Sequence, residues 1–262
     1  MTRRFLTDLE HAATTYLRSI RSGLKNDGVS SIRVLVKRGT VEEGIIGGAG
    51  DDPTSLLVMT SHGTAGISRW NLGSVANHVI RHSKAPVMVI RALDEGEHAR
   101  AMNGLQRIVV PLDGSEVAES IEQSGVDLAG ALSIPLTLLR VIPSGRQYQG
   151  YIPRGSSISN LRRAEVQGYL DSRVESISSA RIPDITTMVR EGDIAEEILQ
   201  FASEIPGTLV AMTTHGRSGV QRWTLGSIAD RVMRHSSEPV LMLSVRAEDK
   251  GRRWLGSHLF DL

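Results

Sequence analysis

The sequence predicts an α/β fold of two tandem doubly wound parallel-sheet domains, on three observations. The first is an internal repeat. Residues 32–90 align on residues 185–243 without a gap, with roughly 25 identities in about 59 positions, more than chance supplies. The second is alternation: strand-length apolar runs such as Thr208–Met212 alternate with segments whose apolar residues recur at helical spacing. That order favours parallel strands joined by crossover helices. The third is a stretch that occurs twice, Met59-Thr-Ser-His-Gly63 and Met212-Thr-Thr-His-Gly216. Each is followed by nine residues and then Gly-Ser, at Gly73-Ser74 and Gly226-Ser227. Glycines thus stand at a strand exit and at a helix entry, with Ser227 as the expected N-cap. Helix N–H groups and the helix dipole suit an anion there, and a missing Cβ permits close approach. The same pattern also serves as an ordinary capped strand–loop–helix connection.

The elements follow in order. An amphipathic helix is expected near Arg3–Leu24, with Phe5, Leu9, Ala12, Tyr16 and Ile20 on one face. Ile32–Val36 reads as a short strand. Thr40 with Glu43 has capping-box spacing and opens a helix through Gly47-Gly48; Asp193 with Glu196 does the same for Ile194–Ile205. Strand Ser55–Met59, the glycine loop, helix Ser74–His82 and strand Pro86–Ile90 complete the first copy. The polar stretch 94–104 reads as a linker. The second copy opens with strand Arg107–Leu112 and the turn Asp113-Gly-Ser115. A helix carrying Val117, Ile121, Leu128 and Leu132 follows, then a buried strand, Pro135–Ile142. After the long loop 144–160, a helix near Leu161–Ser179 corresponds to the start of the first copy. The domains expected are therefore residues 1–93, shortened, and 105–246, complete, with a tail at 247–262.

The first copy has no counterpart of Ile108–Val141, so it lacks two strands and a helix. A start placed late or a shortened gene accounts for this. Direct closure of the third strand of the fold onto its fourth is the remaining reading. Without those strands Ile32–Val36 is expected to lose its usual neighbour and Ser55–Met59 to show a bare edge, and bare edges invite association.

Composition narrows the function. The chain has 262 residues, 40% hydrophobic and 23% charged, as in a soluble globular protein. A net charge of +1 gives no electrostatic case for nucleic acid or an acidic membrane surface. With no cysteine, disulfides, thiolate catalysis and cysteine zinc sites are excluded. The apolar runs are too short to span a bilayer and the first residues do not read as a signal peptide, so a cytoplasmic location is expected.

The combination of Val110-Pro-Leu-Asp113 with Thr213-Thr-His-Gly216, nine residues and Gly226-Ser227 resembles the universal stress protein family in its tandem form. Nucleotide-binding members carry Gly-x-x-Gly, nine residues and Gly-Ser or Gly-Thr; both copies here place Thr, at 60 and 213, where the first motif glycine would stand. The resemblance implies a universal stress protein-like fold of the adenine nucleotide alpha hydrolase-like class, with strand order 3-2-1-4-5. It also implies ATP or AMP, with or without Mg2+, at the carboxyl ends of the strands. Carried over by position, Pro111, Leu112, Asp113 and Val141 would border the adenine and ribose. Met212, Thr213, His215 and Gly216 would form the near wall, and Arg217, Gly226, Ser227 and Ile228 would meet the phosphates. Thr60, His62, Gly63, Gly73 and Ser74 would form a degenerate second site without an adenine wall, so one competent site per chain is expected. The two copies would pack as an intrachain pseudo-dimer through their last strands, Pro86–Ile90 and Pro239–Leu243, and a homodimer is a further option.

Each residue also has a plainer role. Asp113 suits a turn and N-cap, Ser227 with Asp230 has capping-box spacing, and His215 could be a hydrogen-bonded structural residue. His82 and His235 end helices, where a cation suits the dipole. Trp70 and Trp223 read as packing residues and Arg222 as solvated. No general base, acidic metal cluster or activated nucleophile stands out, so slow ATP hydrolysis is the most chemistry expected. The alternative function is a nucleotide-free dimeric interaction module. An adenylyl-transferring enzyme would need a Ser-Gly-Gly-x-Asp-Ser type loop, which Asp113-Gly-Ser-Glu116 is not.

Overall fold

An apolar run of strand length becomes a strand only where a neighbour completes its hydrogen-bond ladder, and the two copies differ in that respect. The computed structural model describes residues 2–50, 54–61, 72–91, 104–144, 157–177, 182–215 and 225–245. The chain divides into two compact units, residues 1–48 and 49–262.

The first unit carries α1 (Thr2–Asn26) and α2 (Val41–Ala49). Between them residues 29–38 are irregular, so the strand expected at Ile32–Val36 does not form. The second copy gives the reason. There the equivalent residues Ile185–Val189 pair in parallel with Leu136–Arg140, a segment the first copy has no counterpart for. No residue from Phe5 to Gly48 is buried, and Phe5, Leu9 and Tyr16 are exposed on α1. The segment is tied to α1 by a two-pronged ion pair between Arg38 and Glu10.

The second unit is built on one seven-stranded sheet among the described residues. Its strands are β1 (Leu57–Thr60), β2 (Val87–Ile90), β3 (Arg107–Pro111), β4 (Leu136–Pro143), β5 (Ile185–Gly192), β6 (Thr208–Thr213) and β7 (Val240–Leu243). Their order is β1-β2-β7-β6-β3-β4-β5. Read from β5 to β7, the second copy has the expected 3-2-1-4-5 arrangement, all parallel. The last strands of the two copies pair antiparallel, Val87 with Met242 and Val89 with Val240, the pairing that the family resemblance implied. β1 lies at the sheet edge with Val58 exposed.

The crossover helices are α3 (Ser74–His82), α4 (Glu116–Glu119), α5 (Glu122–Leu132), α6 (Ser157–Ser176), α7 (Ile194–Ser203) and α8 (Ser227–His235). The single helix expected after Asp113 is thus broken at Ser120-Ile121, where Ile121 turns fully into the core. Ile108, Val110, Leu136, Leu138, Leu209 and Leu241 are buried between sheet and helices. α5 approaches β3 closely because residue 125 is glycine: a Cβ there would stand 2.9 Å from Val110 Cγ2.

Candidate functional site

A cavity of about 350 Å³ opens at the carboxyl ends of β3, β4 and β6, within the range of small-ligand sites. Its place is set by topology. From β3 the chain crosses to β4 on one side, while β6 flanks β3 on the other, so the order of connection reverses at β3. A crevice forms at such a point in doubly wound sheets. The cavity brings together Pro111, Leu112, Asp113, Val141, Met212, Thr213, His215, Gly226, Ser227 and Ile228. Those are all the sequence-predicted residues of the second copy that the structure describes. Gly216 and Arg217 lie outside the described residues, as do His62, Gly63, Trp70, Trp223, Arg222 and the tail.

Asp113 ends the β3 exit. Its Oδ1 accepts from the Ser115 backbone N–H at 3.0 Å and from the Ser115 hydroxyl at 2.5 Å. Gly114 takes φ +76°, which a residue with a side chain adopts at a cost, so the turn needs glycine there. The turn role and a place in the cavity wall coexist at Asp113.

The helix entry differs from expectation. Gly226, not Ser227, is the N-cap of α8, with extended backbone at φ −60° and ψ 147°, and no side chain among the described residues caps the helix. Asp230, the partner expected for a capping box, pairs with Arg234 at 2.8 Å instead. The Ser227 hydroxyl is therefore on the first turn beside backbone N–H groups that the helix itself leaves without acceptors. Gly226 packs tightly: its N–H donates to the Thr214 carbonyl at 2.8 Å, and a Cβ would stand 3.1 Å from that oxygen. The first copy repeats this joint, with Gly73 donating to the Ser61 carbonyl at 3.0 Å. There too Gly73 is the N-cap and Ser74 the first helical residue.

Thr213 stands where the family motif has glycine, and its hydroxyl donates to the His215 carbonyl at 2.6 Å. The substitution thus braces the loop without leaving a buried hydroxyl unmet. His215 Nδ1 lies 3.0 Å from the Thr214 hydroxyl, while its Nε2 is buried and meets no partner among the described residues. An imidazole nitrogen withdrawn from water without a partner is costly, and a ligand group or an ordered water would relieve it.

Several wall residues were not foreseen, chiefly Arg140 on β4, Arg162 and Val166 on α6, and Ile194 and Ile198 on α7. Arg140 carried a signal, being the lone charge inside the apolar run Leu136–Ile142. Ile194 and Ile198 are spaced one helical turn apart, which marks a shared face and not a ligand. Arg162 has no local signal, because nothing in the sequence places α6 over the β4 exit. The result is a pocket walled by the apolar residues Leu139, Val141, Ile142 and Ile198 together with Asp113, Arg140, Arg162 and the first residues of α8. Such a site suits a flat apolar group joined to hydroxyls and an anion.

The chain matches the sequence model of the universal stress protein family over residues 5–91 and 104–244. A universal stress protein of Methanocaldococcus jannaschii is 31% identical over 143 residues, covering 54% of this chain and 83% of that protein. A Staphylococcus haemolyticus relative is 28% identical over 145 residues, 55% of this chain and 86% of its own length. Among solved structures, a universal stress protein from Archaeoglobus fulgidus superposes with a TM-score of 0.60 at 20% identity, over 94% of this chain and 80% of that one. One from Pseudomonas aeruginosa also gives 0.60, at 16% identity over 88% and 77%. At those identities the superpositions speak for the fold alone.

Proposed function

The chain belongs to the universal stress protein family, and from that premise we propose that its second copy binds ATP or AMP in the cavity at the β3, β4 and β6 exits. The observation that carries the reading is convergence: ten residues chosen by motif position, from four separate stretches of sequence, line one pocket. Asp113 and Val141 would face the adenine and ribose, with Pro111 and Leu112 beside them. The α8 N–H groups, the Ser227 hydroxyl and Arg217 would take the phosphates. A bound nucleotide supplies a polyanion, and Mg2+ would ride on its phosphates. The residues here bind and orient; they are given no bond-breaking role.

One site per chain is expected, because the first copy keeps the Gly73-Ser74 joint and has no Asp113 or Val141. The protein would act as a nucleotide-responsive regulator in the cytoplasm, alone or as a homodimer. No described helix is long and apolar enough to cross a membrane. A second reading, a nucleotide-free interaction module, draws on Thr213, whose braced hydroxyl makes the loop self-sufficient. The test is to purify the chain without added nucleotide, denature it and identify released small molecules by mass spectrometry, with calorimetric titration beside it. About one ATP or AMP per chain supports the reading. Protein that is empty and also fails to bind ATP favours the interaction module.

A further inference from the structure

Asp113 belongs to a closed circuit of contacts that runs through three elements. On one side its carboxylate is held by Ser115, whose hydroxyl also caps α4 by accepting from the Ala118 N–H at 3.2 Å. α4 ends on Glu119, and Glu119 Oε1 accepts from the Tyr169 hydroxyl at 2.7 Å. The Tyr169 ring, on α6, faces the Arg140 guanidinium at 5.8 Å from its centroid. Arg140, on β4, then donates to the carbonyl of Leu112 at 2.9 Å, which returns the circuit to the residue before Asp113.

The end of the β3–β4 ladder explains why a side chain is recruited. Pro111 opposite Leu139 is the last pair of strand residues, and the Leu112 N–H still donates to the Leu139 carbonyl at 2.8 Å. With Arg140 on its carbonyl, both polar backbone groups of Leu112 are held from β4. Glu119 is steadied from behind by Arg173 at 3.5 Å, and Arg173 grips Glu122 through two hydrogen bonds of 3.0 Å. Burial, and then the bond to Glu119, push the Tyr169 phenol well above its ordinary value, so it stays a donor.

We infer that Arg140 and Tyr169 are positioning residues that set the Asp113 carboxylate for the bound nucleotide. Arg140 acts through Leu112, and Tyr169 through both Arg140 and Glu119. The inference rests on the reading of Asp113 as a nucleotide contact. The energetic logic is preorganisation: a carboxylate fixed before binding loses less freedom when the ligand arrives.

The full chain would be titrated calorimetrically with ATP, 2′-deoxy-ATP, 3′-deoxy-ATP and purine riboside triphosphate. The variants are Asp113→Asn, Tyr169→Phe and Arg140→Met, singly and with each of the last two added to Asp113→Asn. Asp113→Asn should weaken ATP by roughly tenfold or more and flatten the discrimination among the four ligands. Tyr169→Phe and Arg140→Met should each weaken ATP by roughly three- to tenfold with the same flattening. Added to Asp113→Asn, they should cost less than about twofold, because they act through the group already lost. Equal losses with and without Asp113→Asn would overturn the inference and leave the nucleotide site standing. A wild-type chain that binds none of the four would take down both. Tyr169→Phe removes one oxygen and keeps the ring, so it decides the matter if Arg140→Met fails to fold.

Discussion

Replacing Gly226 by valine tests the cradle, and the repeat supplies its own control in Gly73→Val. At Gly226 a Cβ would stand 3.1 Å from the Thr214 carbonyl oxygen and 3.7 Å from His215 Cα; at Gly73 it would stand 3.0 Å from the Ser61 oxygen. Both backbones have negative φ, so a side chain is strained by crowding and not by conformation. Overpacking of this kind costs about 1–3 kcal/mol, offset in part by about 0.4–1 kcal/mol from the lost freedom of glycine in the unfolded chain. Each variant should therefore melt a few degrees below wild type, at about 2–4 °C per kcal/mol. Binding should separate the two. Moving α8 away from the β6 exit by a few tenths of an ångström misaligns the N–H groups. Losing one charge-assisted hydrogen bond is worth about 1.5–3 kcal/mol, or roughly 10- to 150-fold in affinity. Gly226→Val should show that loss in calorimetry with ATP, and Gly73→Val should show none. Equal losses in both variants, or none in Gly226→Val, would refute the assignment of the cradle to the second copy.

Three more predictions follow from packing and charge. Gly125→Val should lower the melting temperature more than Gly226→Val, since its Cβ would meet Val110 Cγ2 at 2.9 Å with Leu136 and Ile108 side chains close behind; differential scanning fluorimetry reads this. For Glu122 and Arg173 the two partners point opposite ways: the hydrogen bond holds the guanidinium up, while burial pushes the Glu122 carboxyl up despite Arg173. The Glu122 side chain is 7% exposed against 28% for Arg173, so desolvation decides its sign. A raised folded value contributes stability that is present below the unfolded value and lost as pH rises through the folded one. The melting temperature of wild type minus that of Glu122→Gln should thus grow as pH falls from roughly 7 to about 4, and a flat or falling difference would show that the ion pair wins. Among the described residues, hydrogen exchange should be fastest over residues 5–48, where nothing is buried, and slowest at Ile108–Val110 and Leu209–Ala211; comparable protection in both regions would contradict the picture.

Much of the second copy was legible because local and global signals agree there. β6 is apolar from Leu209 to Met212 and every residue of it is buried; Asp193 caps α7 as its spacing announced, accepting from the Glu196 N–H at 3.1 Å. Failures came where a structure depends on something sequence spacing does not hold. Ile32–Val36 has the residues of a strand and no partner to pair with. The Ser227 spacing fits a cap, yet the tight Gly226–Thr214 joint moves the helix start one residue earlier. Arg140 and Arg162 reach the cavity from strands and helices whose relative placement is a tertiary fact. The lone charge at Arg140 was the one local hint.

The repeated joint separates architecture from function within one chain. Gly73 and Gly226 meet the strand exit in the same way, through an N–H to carbonyl bond of 3.0 and 2.8 Å, and each opens a nine-residue helix with no side-chain cap among the described residues. So the glycine is needed to turn a strand into a helix at close range whether or not a ligand is bound, and the motif alone does not specify a nucleotide. What the second copy adds is the opposite wall: Leu112 and Asp113 at the β3 exit, and Arg140 and Val141 from β4. An anion cradle without that wall has only the dipole and a few N–H groups to offer, worth about 0.3–1 kcal/mol from the dipole when exposed to water. A cradle facing an apolar, enclosed wall can bind base and phosphate together. On the proposed reading a segment equivalent to 107–143 turns a fold element into a site, and the affinity gap between the two copies should follow its presence and not the glycines.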